Sequence, residues 1–569
     1  MSPKSRPLAA LKRAKSLREL APIIGVAPRQ LSYLLYILPN ERKYTTFSVP
    51  KRDGTPRQIS APEQRLKNLQ ARTATLLTSC ELELTQERPS TPVSHAFREQ
   101  RSIITNATPH KGKRYVLNCD IADFFGSINF GRVRGFFIHD KNYNLFPAVA
   151  TVLAQIACHN NSLPQGSPCS PLISDLIASI LDRRLVGLAK RYSLTYSRYA
   201  DDLTFSTNLK IFPTDIASLN DDGSCNVGTS LTSEIKRSGF TLKESKTRLQ
   251  YRSIRQTVTG LTVNSKVNIQ ANRYRQLRAQ CNKLFRDGEY ILDPALNSAA
   301  TRNLAPLSGQ FSHIANIKEH ASRGNAPSSS SRTGFDALYA QFLAYKLFFL
   351  ADKPTIVPEG KTDPIYLRCA INQLEPSDLV TKDASGKVGY EVRFLKPNRT
   401  NMKYLGLLNG TGSLSYFLNK GKGSYWKCIQ KFHGDGCKNP VIILVDNDQG
   451  ASKKLFKNAS DTSGKNISLR TSEPFYHIHS NVYLVKTPEH DNGEETCIED
   501  LLPSKLLERK LSGKSFNPSN DKINTNTEFG KSVFAEKIVR PDFAAIDFTG
   551  FIPLLDRIRA VIKYHNGSG

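Results

Sequence analysis

Two short alternating runs flank a pair of acids near the middle of this chain. Leu194-Thr195-Tyr196-Ser197-Arg198 precedes Tyr199-Ala200-Asp201-Asp202, and Leu203-Thr204-Phe205-Ser206-Thr207 follows it. Both runs are rich in β-branched and aromatic residues, so the stretch is expected to fold as a β-hairpin with the acids at its tip. Adjacent carboxylates on a tight turn repel each other, and divalent cations would offset that cost. A solvated turn is the bland alternative, because Asp is a common turn residue. The decision rests on whether the chain supplies the other parts of a two-metal site for nucleotidyl transfer.

It supplies candidates on both sides. Tyr115-Val116-Leu117-Asn118-Cys119 reads as a strand with Asp120 at its end, followed by Asp123-Phe124-Phe125. Two Mg²⁺ ions roughly 3.5–4 Å apart clamp the attacking and leaving oxygens of an in-line phosphoryl displacement, and bridging them takes carboxylates that converge from different strands. Asp120 could instead cap a helix beginning at Ile121. Leu163-Pro164-Gln165-Gly166-Ser167-Pro168 opens a helix expected from about Ser170 to Leu188, where Gln165 offers an amide to a base or sugar. Lys246 could donate a proton to a leaving pyrophosphate or could be a plain surface lysine. Gln256 to Asn264 alternates as a strand. Upstream, Asp53-Gly54 signals a hairpin turn, and Lys51, Arg52 and Arg57 along that hairpin could grip a triphosphate or face solvent. Leu8 to Leu38 and Glu63 to Leu84 read as packing helices.

Lys+Arg number 79 against Asp+Glu 50 in 569 residues, a formal net charge of +29. Such an excess points to a polyanionic partner, most simply nucleic acid. No long apolar span or basic amphipathic anchor speaks for a membrane. Met1 to Leu20 is basic without an apolar core, so no secretory signal is expected. The ten Cys include no C-x-x-C pair, which suits reduced thiols in the cytoplasm. Asn272 to Arg286 interleaves Arg273, Arg275, Arg278, Lys283 and Arg286 with apolar residues, as a basic helix tracking a duplex would. Ser322 to Arg332 reads as a flexible linker.

Beyond the linker the pattern changes. Thr355-Ile356-Val357-Pro358 reads as a strand ending in Glu359-Gly360-Lys361-Thr362-Asp363, and Thr355 stands where a P-loop needs its first Gly. Val441-Ile442-Ile443-Leu444-Val445 is a fully apolar strand of the buried parallel kind, delivering Asp446-Asn447-Asp448 at its carboxyl end. Asn481 to Val485 looks like another strand. Strands alternating with helices imply a small α/β sheet, and a Glu with an Asp-x-Asp at strand ends could make a hard-oxygen Mg²⁺ site, or belong to a degenerate sheet whose acids cap helices. Glu499 adds a further acid. The segment after Lys505 reads as two helices packing on the sheet.

In this order, the pieces up to about residue 315 resemble the reverse transcriptases, and among them the bacterial retron enzymes. Residues 120–125, 163–176, 199–202 and the Lys246 segment look like the family's palm motifs. Asn106-Ala107-x-x-His110 and Val258-Thr259-Gly260 look like its two short signatures. The resemblance implies a right-hand polymerase of fingers, palm and thumb. It implies that Asp120, Asp201 and Asp202 hold metal, that Phe125 rejects a ribose 2′-OH so that dNTPs are used, and that Gln165 lines the nucleotide pocket. It implies RNA binding through Asn106, His110, Val258, Thr259 and Gly260. Asp175 departs from the family's usual Asn, as does Lys243. The second half resembles the Toprim domain of OLD-family nucleases, through Glu359-Gly360, Gly410 to Gly412 and Asp446-x-Asp448; that resemblance makes Glu359, Asp446 and Asp448 its metal-binding and catalytic acids.

The expected architecture is a multidomain α/β chain. Fingers and palm occupy 1–264, thumb 265–320, linker 321–334, a small parallel-sheet Toprim-like domain 335–504 and a helical extension 505–569. The retron resemblance further implies a dedicated non-coding RNA, partly copied into a small DNA that stays attached to it, and a part in defence against phage with the Toprim-like domain attacking a nucleic-acid target. Two rivals stay open: a mobile-element or maturase-like polymerase, and an RNA-holding scaffold that controls the second domain. Oligomeric state stays open too.

Overall fold

A computed structural model describes residues 6–51, 54–87, 93–293, 298–322, 333–382, 388–407, 410–421, 424–489, 494–518 and 523–567. Arg52 and Asp53 of the expected hairpin turn, linker residues 323–332 and Leu408-Asn409 lie outside them. The chain divides into two compact units, Met1–Ala271 with His313–Ala326, and Asn272–Ser312 with Pro327–Gly569. One break between the units falls inside the expected 321–334 linker, and Asn272–Ser312, most of the expected thumb, groups with the second unit. The basic helix of the expected thumb belongs with the second unit because aromatic packing joins them. Phe311 stacks on Tyr339 and Phe342 with ring centroids 4.6 and 4.7 Å apart, and Phe285 meets Tyr345 and Phe432 at 5.3 and 5.1 Å.

In the first unit, strands β1 (Tyr44–Pro50) and β2 (Pro56–Pro62) form an antiparallel hairpin ahead of helix α1 (Gln64–Glu87). Leu66, Leu69, Leu76 and Leu77 of α1 are buried at helical spacing. The central sheet has four antiparallel strands. β3 (Tyr115–Asp120) pairs with β5 (Asp202–Thr207) on one side and β6 (Arg248–Tyr251) on the other, and β4 (Thr195–Tyr199) pairs with β5. Helix α2 (Ser170–Arg191) contributes Ile173, Ile177, Leu181 and Leu185 to the same core. Asp120 ends β3 as a strand residue and caps no helix. Gln256 to Asn264, expected as one strand, is instead two short strands, β7 (Thr257–Val258) and β8 (Leu261–Thr262). Thr259 and Gly260 turn between them with φ of 45° and 81°, the positive pair that a tight hairpin turn requires.

The second unit carries helix α3 (Ala271–Asp287), helix α4 (Gly334–Ala344) and a five-stranded sheet. Strand β9 (Thr355–Pro358) precedes helix α5 (Asp363–Leu374); β10 (Arg393–Phe394), β11 (Val441–Val445), β12 (Tyr476–His479) and β13 (Val482–Lys486) follow. The order is β10-β9-β11-β13-β12, parallel except for the edge strand β12. Every residue of β11 is buried, as its unbroken apolar run demands. Each such side chain contributes about 1.5–3 kcal/mol through burial. Helix α6 (Ile552–Gly567) places Leu554, Leu555, Ile558 and Val561 in the core that also holds Ile442 and Leu444. Helix α6 thus shares one core with the sheet. Among the described residues no helix is long and apolar enough to cross a membrane.

The loop that opens α2 docks on the β1–β2 hairpin. Ser60 N donates to Gln165 O at 2.8 Å, and a Cβ at Gly166, whose φ is 128°, would lie 2.7 Å from Ser60 O. Gly166→Ala is therefore expected to lower the thermal unfolding midpoint by loosening this joint. A melting curve matching the wild type would show that the backbone approach tolerates a side chain.

Candidate functional sites

The register of the palm sheet sets the first site. Asp120 lies directly opposite Asp202 across β3 and β5, and Ile121 N donates to Asp201 O at 3.0 Å. Three acids from two distant stretches are thereby gathered at one end of one sheet. The turn between β4 and β5 is tight, with Ala200 at φ 56°. Segment 241–246 closes the other flank: Ala122 N donates to Thr241 O, Lys243 N donates to Asp120 O, and Lys246 Nζ reaches Asp120 Oδ2, at 2.8, 2.8 and 2.7 Å.

The electrostatics follow from this crowding. Burial, and then the neighbouring Asp201 and Asp120, push the Asp202 carboxyl up to about 7. Burial and Asp120 raise Asp201 as well, while Lys246 and Arg57 oppose the rise. Lys246 is held above its ordinary range chiefly by its hydrogen bond to Asp120, so it stays cationic. Arg57 on β2 is exposed and within electrostatic reach of Asp201. Lys51 is exposed at the far end of the same hairpin. Phe125 is half-buried against Phe124, and Gln165 is half-buried beside β2.

A buried ionic cluster stands behind the turn, and beyond the unusual Asp175 no sequence pattern marks it. Arg198 has no exposed surface. Its Nε and Nη2 donate to both oxygens of Asp182 at 2.8 and 2.7 Å, Nη2 also reaches Asp175 Oδ1 at 2.7 Å, and Nη1 donates to Ala200 O at 3.1 Å. Asp175 in turn accepts from Ser94 Oγ and Arg98 Nε. The guanidinium ties α2 to the carbonyl of the strained residue that leads into the acid pair. Fork-shaped Arg suits this planar, multiply bonded role.

The expected RNA-binding signatures divide by burial: Thr259 is half-buried and Gly260 exposed. Asn106, His110 and Val258 are fully buried. His110 bridges Ser206 Oγ and Ser197 Oγ at 2.7 and 2.8 Å, and Ser197 Oγ donates to Asn106 Oδ1 at 2.7 Å. Thr259 Oγ1 donates to Ile103 O at 3.3 Å. The two signatures therefore fasten β4, β5 and the β7–β8 turn to one another. In this fold the buried side chains of Asn106, His110 and Val258 offer no surface to a ligand and serve as scaffold. Burial, with Lys113 and His95 adding to it, holds His110 down at about 3, so its ring is neutral.

The second site sits at the carboxyl end of the parallel strands. Glu359 follows β9 and Asp446 follows β11; Glu359 N donates to Leu444 O at 2.9 Å, and Asp446 N to Glu359 Oε2 at 3.4 Å. Burial and Asp448 push Glu359 up to about 7, and burial with Asp363, Glu359 and Glu499 raises Asp446 well above the carboxylate range. Three groups join them. Asp363 accepts from Gly360 N at 2.8 Å and is pushed up to about 6 by burial. Lys531 pairs with buried Glu499 at 3.0 Å. Glu499 Oε1 has no hydrogen-bond partner among the described residues, with the Tyr366 hydroxyl the polar group beside it. The sequence reading missed Asp363 and Lys531; the four-residue step from Glu359 to Asp363 across a strand–helix turn was the available signal for the first.

Among the described residues no three acidic, His or Cys side chains converge as a ready-made metal cage. Several of the acids face protein donors instead: Asp120 faces Lys246, Asp446 accepts from Ile498 N, and Asp448 caps a helix through Ala451 N. Magnesium asks for less than a cage, since it commonly takes one or two carboxylates and completes its shell with water and substrate phosphates. The all-oxygen donor sets at both sites fit such an ion.

Residues 49–268 match the family model described as reverse transcriptase (RNA-dependent DNA polymerase). The retron Mx65 reverse transcriptase of Myxococcus xanthus is 37% identical over 285 residues, 47% of this chain and 62% of that protein. The retron Ec86 reverse transcriptase of Escherichia coli is 32% identical over 274 residues, 48% of this chain and 78% of that protein. The retron Mx162 reverse transcriptase of M. xanthus is 29% identical over 337 residues, 52% and 68% of the two chains. The chain thus spans less than two thirds of the Mx65 enzyme. Telomerase from Candida albicans, solved with a fragment of telomeric RNA, aligns over 54% of this chain and 60% of that one at 9% identity and a TM-score of 0.30, which carries no argument.

Two measurements probe the first site. Arg198→Met leaves buried Asp182 without its cation and Asp175 with Arg98 alone, and is expected to cost about 3–5 kcal/mol of stability, read from denaturant unfolding; a loss under about 1 kcal/mol would contradict the cluster's role. Asp202 titrates near 7 when folded and near 3.9 when unfolded. Its folded-state penalty is absent at acid pH and grows as pH rises between those values. In metal-free buffer Asp202→Asn should therefore raise the melting temperature at pH 8 and leave it unchanged at acid pH. Equal melting at pH 8 would show that burial and the neighbouring acids impose no such penalty on Asp202.

Proposed function

The chain belongs to the retron reverse transcriptase family, and from that premise we propose that it is an RNA-directed DNA polymerase joined to a metal-dependent Toprim-type nuclease. The observation that carries the polymerase reading is the cross-strand pairing of Asp120 with Asp202, with Asp201 at the adjoining turn. In this reading Asp120, Asp201 and Asp202 would hold Mg²⁺, which would supply the positive charge that in-line displacement at a dNTP α-phosphate needs.

The remaining roles fall to the chain's own side chains. Arg57 and Lys51 bind the triphosphate from the fingers hairpin. Gln165 orients the incoming nucleotide, in a loop fixed by its bond to Ser60 N. Phe125 stands as the gate that excludes a 2′-hydroxyl. Lys246 carries a proton at Nζ beside the acids and delivers it to the leaving pyrophosphate. Arg198 holds the Asp201–Asp202 turn in register. The template is a dedicated structured RNA, partly copied into DNA that remains bound, and the protein works in the cytoplasm.

The second unit supports a Toprim-type nuclease reading. Its acids stand at the carboxyl ends of adjacent parallel strands, where α/β sheets place their ligands. Glu359, Asp363, Asp446, Asp448 and Glu499 would hold Mg²⁺, which supplies an activated water and a Lewis acid for phosphodiester cleavage. Lys531 holds Glu499 and lends positive charge to the site. A part in defence against phage, with this unit as the toxic head, completes the proposal.

Two substitutions separate the heads. Asp201→Ala is expected to abolish primer extension on an RNA template while RNA binding persists; retained extension would overturn the polymerase assignment. Asp446→Ala is expected to abolish Mg²⁺-dependent degradation of nucleic acid while extension continues; nuclease activity surviving that change would overturn the second.

A further inference from the structure

Arg132, half-buried in the helix Phe130–His139, directs its fork at backbone carbonyls. Nη1 donates to Ser127 O and Gly239 O at 3.0 and 2.8 Å, and Nη2 donates to Ser238 O at 2.8 Å. Its guanidinium carbon lies 4.3 Å from the centroid of the Phe240 ring. Phe240 stacks on Phe124 with centroids 5.8 Å apart, and Phe124 meets Phe125 edge-on at 5.5 Å. Phe124 and Phe240 are buried, whereas Phe125 is half-buried. One cation is thereby linked to Phe125 by two routes, through the backbone at Ser127 and through a file of rings.

Both segments that Arg132 grips border the acids. The turn Asp123–Ser127 follows closely on Asp120 and carries Phe125. It is tight: Asp123 has φ 41°, Ser127 N donates to Asp123 O at 2.8 Å, and a Cβ at Gly126 would collide with the Asp123 carboxylate. Ser238 and Gly239 lead into the segment whose Thr241 O accepts from Ala122 N and whose Lys246 reaches Asp120. A planar fork can bond two segments at once and lie against a ring, whereas a lysine ammonium is a point charge. A gate works by repulsion between touching atoms, which changes steeply over fractions of an ångström. Discrimination at Phe125 therefore depends on how firmly its turn and its ring neighbours are held.

We propose that Arg132 is a positioning residue for sugar selection. By clamping Ser127, Ser238 and Gly239 and supporting the Phe240–Phe124 stack, it sets how far the Phe125 ring projects toward the 2′ position of the incoming nucleotide. This deepens the polymerase reading and rests on Phe125 as the gate.

The test measures kcat/KM for dCTP and for CTP opposite a template guanine, with the full chain on an RNA template and a DNA primer. Phe125→Ala is expected to lower the preference for dCTP about a hundredfold, the scale on which a pocket distinguishes one hydroxyl. Arg132→Ala is expected to lower it about tenfold, since a misplacement of about 1 Å can cost about a hundredfold. A residue that only stabilised the fold would lower both substrates alike and leave the preference unchanged. Arg132→Lys keeps the charge without the fork, and Phe240→Leu keeps a buried apolar side chain without the ring. Both should fall below the wild-type preference, and they decide the matter if Arg132→Ala does not fold. Added to Phe125→Ala, Arg132→Ala should lower the preference no further, because it acts through that ring. A wild-type preference in the folded Arg132 and Phe240 variants, with Phe125→Ala lowering it, would overturn the positioning role alone. A wild-type preference in Phe125→Ala would overturn the gate reading and this proposal with it. Additive losses in the double variant would overturn the route through Phe125.

Discussion

Gathering three carboxylates at one partly buried sheet end is the constraint around which the first unit is built. Asp120, Asp201 and Asp202 come to one sheet end because β3 and β5 pair in a register that sets Asp120 opposite Asp202. A one-residue slip would turn every side chain of a strand to the other face, so the site and the core fix the register together. The arrangement is costly, as the raised Asp202 and Asp201 attest. Lys246 partly offsets it from the front and Arg198 anchors the turn from behind. The buried signatures Asn106 and His110 serve the same end, clamping β4 to β5 through Ser197 and Ser206. Residues that look like an RNA-recognition signature in the sequence thus act as a frame for the turn.

The second unit reaches a similar result by a different topology. Parallel strands buried on both faces all point their carboxyl ends the same way, so acids just past β9 and β11 meet without any hairpin. Burial pushes Glu359, Asp363 and Asp446 up, and Lys531 from a remote stretch supplies the compensating charge. In both units a lysine far along the chain is bonded to one acid of the group. Such a pairing lowers the cost of gathering the acids while leaving carboxylate oxygens for other partners.

Much of this was legible in the sequence because it is local. The alternating runs around Asp201–Asp202, the apolar run at Val441–Val445 and the strand ending at Asp120 each specify an element within a few residues. The Thr257–Thr262 hairpin was misread as one strand, since alternation continues through a turn whose positive φ values fall on Thr259 and Gly260. Burial of Asn106 and His110 was not legible, because polar residues carry no periodic mark of facing inward. The Arg198 cluster joins residues on α2, on β4 and near Arg98, and no local pattern encodes such a meeting. The grouping of α3 with the second unit depends on aromatic contacts such as Phe285 with Phe432, whose partners are far apart in sequence. Composition carries the net positive charge but no location for it.

Asp120 is the acid whose place depends wholly on the fold, since it lies far in sequence from the turn it faces. The decisive measurement is single-nucleotide incorporation by Asp120→Asn on an RNA template with a DNA primer, run beside primer–template binding by anisotropy. The account predicts a rate lower by about two to three orders of magnitude with binding unchanged. Incorporation at the wild-type rate would contradict it.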